Sequence, residues 1–242
     1  MRDHSIFELR RYRLRPGGRE TLIKLFDAAF VEPQESLGMR IEGEFRDEKD
    51  ADAFVWVRSF ADMESRSQAL QSFYTGDIWR AHGTAANATM LNSHNVLLLK
   101  PAGAMRPFAH NLPRDRETAR GHARGIVVVN ICSLAPGRDS DFADFFSERA
   151  YPALRDAGAR IDAMFVSDRS TNGFSRLPVR EGETVFVWLE CHADAASLAR
   201  CREQLACNSD WTGHILPRID EQCWRPIEVS ELTPTARSLC AW

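Results

Sequence analysis

The sequence predicts an α+β protein in which two fused ferredoxin-like repeats close one α/β barrel within a single chain. Three observations predict it. First, a Leu-x-Pro-Gly turn occurs at Leu14-Arg15-Pro16-Gly17 and again at Leu134-Ala135-Pro136-Gly137, an offset of 120 residues. Second, at the same offset Gly38-Met39-Arg40-Ile41 is answered by Gly158-Ala159-Arg160-Ile161, and Phe45 by Phe165. Third, twelve extra residues within 167–183 raise the offset to 132, and the correspondence then resumes. Phe54-Val55-Trp56-Val57 pairs with Phe186-Val187-Trp188-Leu189, Asp62 with Asp194, and Trp79-Arg80-Ala81-His82 with Trp211-Thr212-Gly213-His214. A single insertion reconciles every match, which is the signature of tandem duplication.

Each copy reads β-α-β-β-α followed by a closing strand. The first strand alternates and stops at Pro-Gly, a turn signal. Leu22, Leu25, Phe26, Ala29 and Phe30 fall at i, i+3, i+4, i+7 and i+8, one face of a helix. Phe142, Phe145, Phe146 and Ala150 repeat that spacing, with Arg149 in the place of Ala29. Strands follow at 40–45 and 54–58. Asp62 stands where an N-cap belongs, opening a helix toward Tyr74. A short helix carries Trp79 and His82, and 96–100 closes the unit. The expected organisation is therefore repeat 1 over 1–100, a linker over 101–124, repeat 2 over 125–232 and a loose tail over 233–242. The linker holds three Pro and five Arg with little apolar content.

Composition narrows the function classes. The 242 residues carry 31 basic and 34 acidic side chains, so no charge excess points to nucleic acid or an anionic membrane. The longest apolar run, Val96-Leu97-Leu98-Leu99, is far shorter than the ~20 residues of a membrane helix, and the start lacks a signal core. A cytoplasmic protein without nucleic-acid or membrane partners is expected. The six cysteines form no CxxC pair, the seven histidines form no HExxH, and GxGxxG, GxxxxGK[ST] and GxSxG are absent. No cofactor and no metal site is expected from these patterns.

Strand alternation separates two faces of the first strand. Phe7 and Leu9 are expected to face the helices. Glu8, Arg10 and Tyr12 then look away, as do Val128, Asn130 and Cys132 in the second copy. Either that face is wet, or the two sheets face each other around a polar barrel interior whose charges pair, Glu8 with Arg10 and Arg40 with Glu42.

Glu8-Leu9-Arg10-x-Tyr12 before Pro16-Gly17, the Phe73-Tyr74…Trp79 segment and Asn95-Val96-Leu97-Leu98 resemble the NIPSNAP family, well over 5–101 and more weakly over 125–230. The resemblance implies a dimeric α/β-barrel fold, here with both sheets from one chain. That superfamily includes cofactor-free monooxygenases, heme-degrading monooxygenases, chlorite dismutases and muconolactone isomerase-like enzymes. The NIPSNAP family itself implies no general reaction; a polar face inside a closed barrel leads to the expectation of a metal-free small-molecule enzyme of oxygenase or isomerase type in secondary or catabolic metabolism. The alternatives are a non-catalytic ligand-binding or adaptor protein and a heme-binding or heme-degrading protein. Heme-degrading relatives place Asn, Trp and His around their pocket, types that Asn130, Trp211 and His214 offer.

Candidate site residues follow from side-chain chemistry. Trp79 and His82, like Trp211 and His214, lie at i, i+3 on one helix face. Each pair reads either as core and cap, or as an aromatic wall with a general base. Arg10 and Tyr12 could stabilise an oxyanion, or pair internally with Glu8. The catalytic candidates are thus His82, His214, Tyr12 and Arg10. The substrate-binding candidates are Glu8, Trp79, Trp211, Asn130 and Cys132. The expected partner is a small-molecule substrate, and association into a homodimer is compatible with the sequence.

Overall fold

The structure is a computed structural model that describes residues 4–109 and 125–242. Residues 110–124 of the expected linker lie outside the described residues. The first half runs β1 (Ile6–Leu14), α1 (Gly18–Ala29), α2 (Val31–Ser36), β2 (Arg40–Asp47), β3 (Ala53–Phe60), α3 (Met63–Thr75), α4 (Asp77–Thr89) and β4 (Met90–Pro101). The second runs β5 (Ile126–Ser133), α5 (Asp139–Phe145), a π-helical turn (Phe146–Ala150), α6 (Tyr151–Asp156), β6 (Arg160–Ser167) and β7 (Val185–His192). It ends with α7 (Ala195–Cys207), a second π-helical turn (Trp211–Ile215), α8 (Leu216–Gln222) and β8 (Glu228–Pro234).

Local chemistry explains several boundaries. Asp62 and Asp194 each accept a hydrogen bond from a backbone N–H three residues on, Ser65 and Ser197, both at 2.7 Å. They cap α3 and α7 as expected. Both π-helical turns run into a helix with proline in its first turn, Pro152 and Pro217. Proline has no N–H to donate to the preceding turn, so the ladder widens there. Gly17 and Gly137, at φ +74° and +79°, make the left-handed turn that a side chain would disfavour.

The strands close a barrel in the order β1-β3-β2-β8-β5-β7-β6-β4, every neighbouring pair antiparallel or joined at a short antiparallel seam. The seams that join the two four-stranded sheets are 45–47 against 232–234 and 99–101 against 165–167. All eight strands send apolar side chains inward, among them Phe7, Leu9, Phe45, Val57, Leu97, Val129, Phe165, Leu189 and Leu232. Phe7 and Phe165 meet across this space with ring centroids 4.8 Å apart. Helices cover the outside of each sheet, over two further apolar cores. No helix among the described residues is long and apolar enough to cross a membrane.

Four expectations need correction. The two faces of β1 are exchanged: Phe7 and Leu9 line the barrel interior, while Tyr12 packs with α1 against the outside of the sheet. The barrel interior is accordingly apolar, not polar. Residues 6–10 of β1 are all buried, so alternation separates the faces without saying which is inside. Closure decides it, because a dry barrel lumen has no helix-borne partners to answer a charge. Second, β4 begins at Met90 rather than near 96, so Asn92, His94 and Asn95 are strand residues. Third, the start of the linker is not all surface: Phe108 enters the barrel core 6.1 Å from both Phe7 and Phe165. Fourth, the tail is held. Thr235 and Cys240 donate backbone hydrogen bonds to Glu44 and Glu42, each at 2.8 Å, and Trp242 lies 4.9 Å from the Arg160 guanidinium.

Because the lumen is the packed core, Phe165→Ala should cost about 3–5 kcal/mol, the range for emptying an aromatic site. Urea unfolding checks this. An unchanged midpoint would show that the lumen is not close-packed.

Candidate active site

Strand pairing builds the first polar cluster. β1 and β3 set Glu8 opposite Arg58, Arg10 opposite Trp56 and Tyr12 opposite Phe54, all on the helix-facing side. One Glu8 oxygen accepts from Arg10 Nη1 at 2.6 Å and Arg58 Nε at 2.7 Å, and the other from Arg66 Nε of α3 at 2.7 Å. All four side chains are fully buried. Arg58 also donates to Gln34 Oε1 at 3.0 Å, and Arg10 Nε donates to Tyr12 Oη at 3.0 Å. The Trp56 ring lies 5.4 Å from the Arg10 guanidinium and 5.0 Å from that of Arg58, a cation–π arrangement on both sides. Burial alone would raise the Glu8 pKa, but Arg58, Arg10 and Arg66 outweigh it and hold the carboxyl far below the usual carboxylate range.

Beside this cluster, between sheet and helices, lies a cavity of about 180 Å³ lined by Tyr12, Gln34, Trp56, Tyr74, Trp79 and Arg176, with Asn87, Ser93 and apolar side chains making up the rest. Trp79 reaches it because position 83 is glycine; a Cβ there would lie 2.6 Å from Trp79 Cε2. The cover comes from the inserted loop of the second half. Phe174 stacks on Tyr74 at 5.8 Å, Asn172 accepts from Arg66 at 3.0 Å, and Arg176 donates to the Tyr74 carbonyl at 3.2 Å. Burial raises the Tyr74 hydroxyl pKa above its ordinary value. His82 is half-buried, 6.4 Å from the Phe30 ring, and does not line this cavity.

The second half has the equivalent space, larger and differently furnished. A cavity of about 420 Å³ is lined by Asn130, Trp188, Glu190, Arg202 and Trp211 with a mostly apolar remainder. Across the paired strands Val128 stands opposite Glu190 and Asn130 opposite Trp188, which makes Asn130 the diagonal neighbour of Glu190. Glu190 Oε1 accepts from Trp188 Nε1 at 2.7 Å and Asn130 Nδ2 at 3.0 Å. Its other oxygen is 3.3 Å from Nε2 of His192, which is fully buried and whose Nδ1 has no hydrogen-bond partner. The carboxylate is thus fixed by two donors on one oxygen, with the second oxygen backed by an imidazole.

The structure brings Asn130 and Trp211 together, and Tyr12 with Trp79; His82 packs on Phe30 beside Trp79 without lining the cavity, and His214 is separated from Trp211. His214 is exposed in a surface depression with Arg149 and Glu221. The reason is the π-helical turn that starts at Trp211 and shifts the i, i+3 relation the sequence implies. Cys132 is fully buried beside Cys223, and that hydrogen bond together with burial pushes its thiol up; it does not line the cavity. Glu8 and Arg10 sit behind Tyr12 rather than on the cavity wall. Arg58, Arg66, Glu190 and His192 were missed. The signal for Glu190 was its offset of 132 from Arg58, which places it opposite β5. One set of potential metal ligands exists among the described residues: Asp162, Cys191 and Cys240, all buried and within 4.8 Å of one another. Asp162 already accepts two hydrogen bonds from Arg160, at 2.6 and 2.9 Å, so its charge is answered.

Removing Glu8 leaves three guanidiniums buried together, so Glu8→Gln should cost about 3–5 kcal/mol of stability. The depressed Glu8 pKa contributes stability that is present above its ordinary value of 4.5 and is lost as pH falls below it. Wild-type protein should therefore lose stability more steeply than Glu8→Gln below that pH, as read by urea unfolding at stepped pH. Parallel acid profiles would show that Glu8 is not the ion that holds the cluster.

No family model matches the sequence and no curated protein is similar to it. Solved structures of the same fold do exist. An anthrone oxidase-like protein aligns over 96% of this chain and 92% of its own at 11% identity and TM-score 0.63. A Fusobacterium nucleatum protein described as a "putative monooxygenase" aligns over 97% and 94% at 12% identity and TM-score 0.61. A NIPSNAP-like domain protein from Burkholderia xenovorans aligns over 47% of this chain and 97% of its own at 22% identity and TM-score 0.40. The whole chain therefore shares its overall fold with the first two of these structures.

Proposed function

We propose that the protein is a small-molecule enzyme whose reaction begins with proton abstraction by Glu190 in the cavity of the second half. The observation that carries this reading is a carboxylate on the wall of a space of about 420 Å³, within the range of small-molecule sites. A general base must be fixed in geometry and supported after it takes the proton. Trp188 and Asn130 fix one oxygen, and His192 stands behind the other. Trp188 and Trp211 suit a planar, partly apolar substrate.

In the step proposed, a weakly acidic C–H or O–H of the substrate gives its proton to Glu190, and the electron pair stays on the substrate as a carbanion, enolate or phenolate. Return of that proton at another carbon completes an isomerisation. Alternatively, dioxygen adds to the carbanion carbon, the peroxide oxygen takes up the proton, and loss of water leaves a carbonyl. The fold neighbours described as monooxygenase and anthrone oxidase-like motivate testing the dioxygen branch.

The two halves are also read as copies of one ferredoxin-like unit. Their element order agrees, and the pairing of β1 with β3 recurs as β5 with β7 at the sequence offsets. A cytoplasmic setting and a small-molecule partner belong to the same reading. The second reading, a binding protein without turnover, is favoured by one observation, the ionic cluster of the first half, whose single carboxylate is wholly engaged by three guanidiniums and so offers no base.

Incubation with an anthrone in D2O with dioxygen excluded tests the first step directly, because the carbanion then returns to the substrate only by taking up deuterium at the acidic position. Glu190→Gln should slow exchange and dioxygen uptake by about 10²–10⁴ while binding, read by tryptophan quenching, persists. Full exchange in the variant would overturn Glu190 as base. Binding without any exchange by wild-type protein would favour the non-catalytic reading.

A further inference from the structure

Three buried guanidiniums share one carboxylate in the first half. Glu8 is the only carboxylate in ion-pair contact with Arg10, Arg58 or Arg66 among the described residues. Positive charge is therefore in excess in a region that water does not reach, and Nη2 of Arg10 and of Arg58 has no hydrogen-bond partner. Uncompensated buried charge costs several kcal/mol, so a fold keeps it where something else answers it. The adjoining cavity transmits that charge through its wall. Tyr12 Oη accepts from Arg10, which leaves its own proton for a group in the cavity, and Gln34 is tied to Arg58. Arg176 adds a third cation directly on the wall, and no Asp or Glu lines the space.

We propose that this cavity is a second ligand site, separate from the one containing Glu190, and that it takes a small aromatic anion, an arene carboxylate or phenolate. Its anionic oxygen accepts from Tyr12 Oη under the field of Arg10 and Arg58. Its ring lies among Trp56, Tyr74 and Trp79. The size follows from the cavity, about 180 Å³, which is below the roughly 300 Å³ of drug-sized sites and holds one substituted ring. Arg176, on the loop between β6 and β7, stands on the cavity wall with its guanidinium 5.5 Å from the Tyr74 ring centroid. The first half of the chain thus supplies a charge-selective pocket, whereas the second supplies a carboxylate in a larger apolar one.

The test is binding of benzoate against benzamide, its neutral isostere, by isothermal titration and tryptophan quenching at neutral pH. Benzoate should bind at least tenfold more tightly. Tyr12→Phe and Arg176→Gln, each verified as folded by circular dichroism, should each weaken benzoate at least fivefold and leave benzamide unchanged. Glu190→Gln should leave benzoate binding unaltered, which separates this site from the proposed catalytic one. Equal affinity for the two probes, no benzoate binding at millimolar concentration, or an unchanged benzoate affinity in both wall variants would overturn the proposal.

Discussion

The apolar lumen of a closed eight-stranded barrel offers no partner to an isolated charge, so the charges on its side of the strands are paired, Arg11 with Asp47 and Asp162 with Arg160, and this constraint governs the rest of the molecule. The polar residues on the opposite face of the strands can be answered from the helix side. β1 shows the consequence, because one face supplies Phe7 and Leu9 to the lumen and the other supplies Glu8, Arg10 and Tyr12 to the helix layer. The helices can answer them where the opposing sheet cannot: α3 brings Arg66, and α2 brings Gln34. What would be a two-layer apolar sandwich thereby acquires a buried ionic cluster with a cavity beside it.

The same position in the second half is built from other chemistry. Val128 and Asn130 stand where Glu8 and Arg10 stand, and Glu190 stands where Arg58 does. The charge of the strand face is inverted. Trp56 and Trp188 keep the same place, against an arginine pair in one half and against a glutamate in the other. One architecture thus presents two cavities with different charged groups on their walls, Arg176 in one and Glu190 with Arg202 in the other.

Much of this was legible in the residues themselves. The helix face from Leu22 to Phe30 and the Asp62 and Asp194 caps rest on local spacing, which the chain cannot disguise. The orientation of β1 was not legible, because a strand buried on both sides carries alternation without a label for the outside. Nor was the separation of His214 from Trp211, since the π-helical turn between them changes the angular step that i, i+3 spacing assumes. Glu190 was hidden for a different reason. It lies in a strand that is buried throughout, and its partners Asn130 and His192 become visible only when strand pairing is known.

The inserted loop of the second half belongs, in packing terms, to the first: Phe174 and Leu177 join the core of α1, α3 and α4, and Arg180 donates to the Val96 carbonyl. In an assembly of two identical chains, any such loop would be made twice and would cover both cavities alike. A single chain with unlike halves escapes that equivalence. It can shut one chamber and leave its counterpart open, so the two spaces can admit different molecules at different rates while sharing one rigid wall of strands.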